Sequence, residues 1–247
     1  WMSERYLAPL FDCLALMPDA FLTLFAITPE TYPAKGPNKA TPTVDKPWAP
    51  QASFCQEWKA EQEILGKAIV KQKELFKAQD AVARLHKDGQ ISKLQRASKK
   101  SVLVQAFYKD TATKLVIEVN CLLDVVPHVA NADYGKMLGD LKTTMNAGQA
   151  AWRKHVCYQG YDVQAAMYLD AYNVASGEDR LEFAQIVQES FRPYQTGRRI
   201  LTSEFLELGR MKYRRALERY CKCVATGQWP DYDDESTNSV RGWSMVR

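Results

Sequence analysis

Residues 136–142 read Lys-Met-Leu-Gly-Asp-Leu-Lys, and they decide how the whole chain is interpreted. The stretch is predicted as a short β-strand, on which side chains two residues apart share a face, about 6.6 Å from each other. Asp140 and Lys142 therefore lie on the same face. The preceding strand, predicted at 115–126 from its Val, Ile and Leu residues, carries Asp124 near its end. If the two strands are neighbours, Asp124 and Asp140 converge on one point.

This combination of side chains suits metal-dependent phosphate chemistry. Two carboxylates and water are ligands that a hard cation such as Mg²⁺ prefers. A lysine beside them can orient or deprotonate the water, and it can stabilise the charge that builds on a phosphate. The alternative is a surface ion pair at a strand edge, because D-x-K sequences are common by chance. The site is favoured because an unpaired Asp124 in an apolar strand is costly without a ligand.

The other secondary-structure signals place this strand in a mixed fold. Runs of β-branched residues predict strands at 102–108 and 183–187, and periodic apolar residues predict helices at 147–154, 161–174 and 202–225. The order β-β-β-α-β followed by a helix predicts an α+β (mixed α/β) fold, with a small central mixed sheet flanked by helices. The predicted parts are a helical N-terminal region (1–100) with a Pro-rich loop (28–50), a core with a basic C-terminal helix (101–230), and an acidic, polar tail (231–247).

Composition narrows the possible classes of protein. The 247 residues are 46% hydrophobic and 25% charged, which excludes a disordered or fibrous chain. No run of about 18 apolar residues predicts a transmembrane helix. The six cysteines show no disulfide framework and are typical of reduced thiols. We therefore expect a cytoplasmic protein without a membrane partner.

Positive charge is concentrated in two segments, although the formal net charge is only +4. Segment 84–114 has eight Lys or Arg against two Asp, and segment 192–222 has nine against three Glu. They are either solvated helical faces or walls for a polyanion, because clustered cations gain affinity by releasing phosphate counterions. The candidate DNA-binding residues are Lys99, Lys100, Arg198, Arg199, Arg214 and Arg215.

A second motif lies on the predicted helix at 161–174, where Gln164 and Tyr168 are four residues apart and share a face. The two motifs are Asp124…Asp140-Leu-Lys142-Thr-Thr and Tyr161-Asp-Val-Gln164-Ala-Ala-Met-Tyr168. Together they resemble the core of the PD-(D/E)xK nucleases. Within that superfamily the chain is similar to the RecE-type exonucleases (exonuclease VIII) of phages and prophages, relatives of lambda exonuclease and the RecB nuclease domain. The resemblance is strongest over 102–232.

The resemblance implies a role for each matching residue. Asp124 and Asp140 would be the two metal-binding carboxylates, and the Leu141 carbonyl would be a further ligand. Lys142 would be the catalytic lysine. Gln164 and Tyr168, on the helix, would position the scissile phosphate or terminal nucleotide. The implied cofactor is Mg²⁺ or Mn²⁺.

The chain departs from the family pattern at two positions. Leu123 stands where the motif's name has a proline. RecE-like and RecB-like members carry a histidine metal ligand on an N-terminal helix, and Asp12 stands in its place in the sequence Asp12-Cys-Leu-Ala-Leu-Met-Pro18. Aspartate also binds magnesium, so Asp12 is a further candidate ligand. The alternative is that Asp12 faces solvent.

The function implied by the resemblance is a magnesium-dependent exodeoxyribonuclease that hydrolyses backbone phosphodiesters with metal-activated water. It would degrade one strand of linear duplex DNA from its ends, 5′ to 3′, in phage-type recombination. The implied partners are a RecT-like single-strand annealing protein and further copies of the chain in a homo-oligomer. Three alternatives stay open: a structure- or sequence-specific endonuclease, a catalytically weakened DNA-binding relative, and a structural domain whose D-x-K is a surface pair.

Overall fold

The computed structural model describes residues 7–38 and 41–230, so the predicted tail at 231–247 lies outside the described residues. None of the described helices is long and apolar enough to cross a membrane. Helices dominate the first part of the chain, with two small strand pairs between them. In chain order the elements are α1 (Leu7–Leu16), α2 (Phe21–Leu24), β1 (Phe25–Ile27), β2 (Thr31–Asn38), β3 (Thr41–Pro47), α3 (Ser53–Ile64), β4 (Ala68–Val70), α4 (Gln72–Lys87) and α5 (Gly89–Arg96).

The Pro-rich segment 28–50 is not the irregular loop that its composition predicts. Strands β2 and β3 pair antiparallel in it, with Pro33 opposite Asp45 and Thr31 opposite Pro47. Prolines are tolerated here because a two-stranded ribbon leaves every second backbone N–H outside the ladder. Aromatic contacts with α3 attach the ribbon to the rest of the protein.

A five-stranded mixed sheet forms the centre of the fold. Its first three strands are antiparallel neighbours, two helices then cross over to a strand parallel to the third, and the last strand pairs antiparallel at the edge. The predicted α+β fold with a small mixed sheet is confirmed. The elements are β5 (Ser98–Lys109), β6 (Val116–Pro127), β7 (Met137–Thr144), α6 (Gln149–Gln159), α7 (Tyr161–Ser176), β8 (Glu182–Glu189), β9 (Thr196–Ile200) and α8 (Ser203–Thr226).

Helices cover both faces of this sheet at β8. On β8, Phe183 and Val187 join a core with α6, α7 and α8, whereas Ala184 and Ile186 join a core with α1, α4 and α5. Burial on both faces explains why β8 does not alternate between apolar and polar residues, and its two buried glutamines are paired: Gln185 accepts from the Trp152 indole N–H and Gln188 donates to the Ala81 carbonyl. Helices α1, α4 and α5 thus share a core with the sheet, and residues of β6 and β7 belong to the same core as α1.

Helix α8 lies unusually close to α7. A Cβ at Gly209 would stand 2.1 Å from the Asp162 carbonyl oxygen, so only glycine allows this approach. The Lys212 ammonium lies 2.6 Å from the fully buried Asp162 carboxylate, and the Arg210 guanidinium lies 2.9 Å from Asp170. Part of the basic segment 192–222 therefore fixes α8 to α7.

Candidate active site

Strand β7 carries the D-x-K pair on the face that α7 covers. The Lys142 ammonium forms an ion pair with the Asp140 carboxylate, and the side chains are only 15% and 4% exposed. The surface ion pair considered from the sequence is therefore excluded for these two residues. A buried pair of this kind needs further polar partners, because desolvation of both charges is costly.

Asp124 lies where β6 and β7 separate. In the described part of the sheet these strands pair at Val125 and Gly139, and beyond this pair the Leu141 N–H donates to the Asp124 carboxylate at 2.7 Å. A side-chain oxygen thus replaces the backbone carbonyl that a regular ladder would supply. Ser101, between the residues paired with Leu123 and Val125, has a φ of 53° that L-residues rarely adopt.

Helix α1 brings Asp12 to the same place. Burial, and to a smaller extent the charges of Asp124 and Asp140, raise the pKa of Asp12 to about 7 against the opposing charge of Lys142. Asp12 is half-buried, and the charges of Asp124, Lys142 and Asp140 all act on its pKa, so its role as a metal ligand stays a prediction. Burial and Asp140 likewise raise the pKa of Asp124 to about 6, against the Leu141 N–H and Lys142.

These residues fit a hard divalent cation. Within 7–38 and 41–230, no three His, Cys, Asp or Glu side chains stand close enough to form a ready-made metal site. The donor chemistry nevertheless matches, because Asp12, Asp124 and Asp140 supply only oxygen and oppose the single positive charge of Lys142. Among residues 7–38 and 41–230, the buried Asp140 Oδ2 has no hydrogen-bond partner besides that ammonium. The Leu141 carbonyl as a further ligand stays a prediction.

An aromatic wall closes the other side of Lys142. The Tyr161 ring centroid lies 4.9 Å from Nζ, within cation–π range, and Tyr161 stacks on Trp152 at 5.7 Å. Burial alone would lower the pKa of Lys142, but Asp140, Asp124 and Tyr161 outweigh burial and raise it. Lys142 is therefore a fixed cation at neutral pH. No role is predicted for Tyr161 from the sequence, although its position one turn before Gln164 is a signal that could identify it.

The two helix residues predicted from the resemblance differ in their surroundings. The Gln164 amide donates to Asp140 Oδ1 at 3.3 Å and so belongs to the cluster. Tyr168, one turn further along α7, packs against the apolar core between α7 and the sheet. Among the described contacts, none joins Tyr168 to the carboxylates or to Lys142, so its predicted role at the phosphate stays a prediction.

Two pairs of the candidate DNA-binding residues lie on strands, and in each pair the two consecutive side chains lie on opposite faces of the strand. On β5, Lys99 is exposed, whereas Lys100 Nζ lies 3.4 Å from the Ala15 carbonyl at the end of α1. On β9, Arg198 lies over the Tyr134 ring, and Arg199 donates to the Ala147 carbonyl at 2.6 Å. Consecutive strand residues face opposite sides of a sheet, so neither pair forms a single basic surface.

The third pair lies on α8. Arg214 is exposed and stands 3.5 Å from Asp170, which also binds Arg210 and accepts a hydrogen bond from Tyr213. Arg215 is exposed beside the turn between β5 and β6. The six candidates therefore lie on several parts of the surface, and their binding to DNA stays a prediction.

A family model described as a PDDEXK-like domain of unknown function, DUF3799, matches residues 51–241. The chain belongs to this PDDEXK-like family. The prediction of a PD-(D/E)xK protein is thereby confirmed, and the DUF3799 range contains Asp124, Asp140, Lys142 and Gln164, whereas Asp12 precedes it. The finer resemblance to RecE-type members is not carried by this match.

The DUF3799 chain also resembles a solved structure from Eubacterium rectale, described as a "putative exonuclease". The superposition has a TM-score of 0.50 at 17% sequence identity and covers 72% of this chain. It covers 64% of the other chain, so the similarity spans less than two-thirds of that protein. At this identity the likeness shows the fold alone. No curated protein matches the sequence.

Proposed function

We propose that this protein is a deoxyribonuclease that uses Mg²⁺ or Mn²⁺ to hydrolyse the backbone of linear duplex DNA from its ends. The observation that carries the proposal is the cluster of Asp12, Asp124 and Asp140 around the buried Lys142 ammonium, with Gln164 bound to Asp140. Three carboxylates and one lysine leave this half-buried site with an excess of negative charge. A phosphate substrate can enter such a site only together with added cations.

Each residue has a defined part in this activity. Asp12, Asp124 and Asp140 would hold the cation, which when bound lowers the pKa of water and polarises the phosphate. Lys142 is held charged by Asp140 and stabilises the negative charge that develops on the phosphate. Since its pKa is raised, Lys142 acts as a cation and not as a general base. Gln164 orients the Asp140 carboxylate by donating to it.

The finer parts of the proposal rest on the sequence resemblance. They are 5′ to 3′ degradation that leaves a 3′ single-stranded tail, a RecT-like annealing partner, a role in phage-type recombination and a cytoplasmic location. The proposal includes a homo-oligomer, which the exposed side chains on the uncovered face of β5 and β6 support, because exposed apolar patches mark interfaces. These side chains are Leu103, Phe107 and Leu122.

The test is incubation of the full chain with end-labelled linear duplex and with covalently closed circles, with Mg²⁺ or with chelator. We expect mononucleotides to be released from linear DNA only, and only with metal. Lys142→Ala should slow this release at least about 100-fold, because it removes the charge that faces the phosphate. Lys136→Ala is the matched control, since Lys136 is an exposed lysine just before the same strand.

Each other result selects a different function. Cleavage of closed circles would make the protein an endonuclease of the same fold. Metal-independent binding of duplex without any cleavage would indicate the weakened relative, and Asp12→His is then the variant to assay. Equal losses in Lys142→Ala and Lys136→Ala would contradict the assignment of the site.

A further inference from the structure

A cavity lies apart from the carboxylate cluster, between the end of the β2–β3 ribbon, α3 and the start of α4. Its volume is about 510 Å³, which falls in the range of about 300–1,000 Å³ found for small-molecule sites. None of its lining residues belongs to the cluster around Lys142. The cavity includes residues on both sides of position 51, where the family match begins.

Two tryptophans supply the aromatic part of the lining of this cavity. Trp48 and Trp58 meet edge to face, with ring centroids 5.3 Å apart and planes at 80°. The backbone N–H of Trp48 donates to the backbone carbonyl of Glu30 at 2.9 Å, which holds the backbone of Trp48 directly after the ribbon. Both side chains are half-buried and line the cavity. The site therefore offers rigid, partly exposed indole surface, which flat apolar groups can stack on.

Positive charge surrounds the tryptophans. Lys59, Lys71 and Lys73 line the cavity with exposed side chains, and Glu30 is the acidic residue among the lining residues. Lys59 shares its charge with Glu63, whose carboxylate lies 3.5 Å away in solvent. The balance is positive, and the charges stand at the margin of an aromatic surface.

We propose that this cavity binds an unpaired DNA strand, with bases stacked on the indoles of Trp48 and Trp58 and phosphates held by Lys71 and Lys73. Aromatic side chains beside cations are how proteins bind single strands without sequence preference, because every base has a stacking face. Duplex DNA is the poorer ligand, since its base faces are already stacked on each other. The choice of DNA among polyanions rests on the proposed nuclease function, whose product is a single strand.

The experiment measures the binding of a fluorescein-labelled oligothymidine of about 15 nucleotides by the full chain in chelator, using fluorescence anisotropy. We expect Trp58→Leu and Lys73→Glu each to weaken binding by about ten-fold, the scale of one lost stacking contact. Lys77→Glu is the matched control, because Lys77 is exposed one turn further along α4 and does not line the cavity. It should weaken binding less than Lys73→Glu does, because Lys77 does not line the cavity although it lies within about one screening length of Lys73 in salt of about 0.15 M.

Several results would overturn the proposal. Equal losses in Lys73→Glu and Lys77→Glu would show attraction by net charge alone, and unchanged binding in Trp58→Leu would exclude stacking. If Trp58→Leu lowers the melting temperature, Trp58→Phe replaces it and should retain most of the affinity. Chelator separates this test from the nuclease proposal, because single-strand binding is measured without cleavage. Loss of cleavage in Lys142→Ala with unchanged oligothymidine binding would keep the two sites independent.

Discussion

Asparagine at position 12 removes one of the three carboxylates that crowd Lys142, and we expect it to stabilise the metal-free protein at high pH. The folded protein raises the pKa of Asp12 from 3.8 to about 7, mainly through burial and the Asp124 charge. A carboxyl group with a raised pKa favours the folded state while it is protonated. Its contribution is lost as the pH rises from about 4 to about 7.

The size of the effect follows from the shift. One pKa unit corresponds to about 1.4 kcal/mol, so ionised Asp12 costs the folded state about 4 kcal/mol at pH 8 and less than about 2 kcal/mol at pH 5. Asp12→Asn does not ionise and avoids this cost. The difference in free energy of unfolding between variant and wild type should therefore grow by about 2–3 kcal/mol between pH 5 and pH 8.

The assay is urea unfolding in chelator at both pH values, followed by circular dichroism. Asp19→Asn is the control, because Asp19 is an exposed carboxylate just after α1 and its removal should give parallel curves. A difference between Asp12→Asn and wild type that stays constant within about 0.5 kcal/mol would refute the argument that the folded protein raises the pKa of Asp12.

Three further outcomes are expected. Because the Tyr161 ring stands 4.9 Å from Lys142 Nζ, Tyr161→Leu should slow cleavage of linear duplex about 2- to 30-fold and Tyr161→Phe should not, measured as initial rates. Gly209→Ala should lower the free energy of unfolding in urea by about 1–3 kcal/mol, because its Cβ would strike the Asp162 carbonyl. Mn²⁺ should raise the melting temperature more at pH 8 than at pH 5. The reason is that the pKa of Asp124 is raised to about 6, mainly by burial, and protonated carboxylates do not bind metal. Equal increases in melting temperature at the two pH values would contradict this prediction.

The central sheet could be predicted because its strands carry strong local signals. Strands β5 and β6 contain runs of Val, Ile and Leu, and the spacing of Asp140 and Lys142 follows directly from the strand period. Edge strand β9 is not predicted, since Thr196–Ile200 is a short segment with two arginines. The other edge strand, β5, can be recognised because it is longer and carries an apolar run.

Other features depend on contacts between distant residues, which no local pattern encodes. The side chain of Arg180 is only 1% exposed and donates to the carbonyls of Pro127, Gly135 and Met137, more than 40 residues away. Nothing in the sequence around Arg180 distinguishes it from a surface arginine. The position of Asp12 was likewise suggested only by family resemblance, because α1 reaches the sheet through tertiary packing.

The way in which α8 holds α7 has a consequence for the synthesis of the protein. Gln164 reaches Asp140 from a helix that is clamped by residues of Ser203–Thr226, whereas Asp12 comes from the first described helix. A nascent chain on the ribosome therefore carries the carboxylates long before it can complete their surroundings. If the proposed function holds, a chain that ends before Ser203 should therefore lack cleavage activity, because α8 is then missing and cannot hold α7, which carries Gln164.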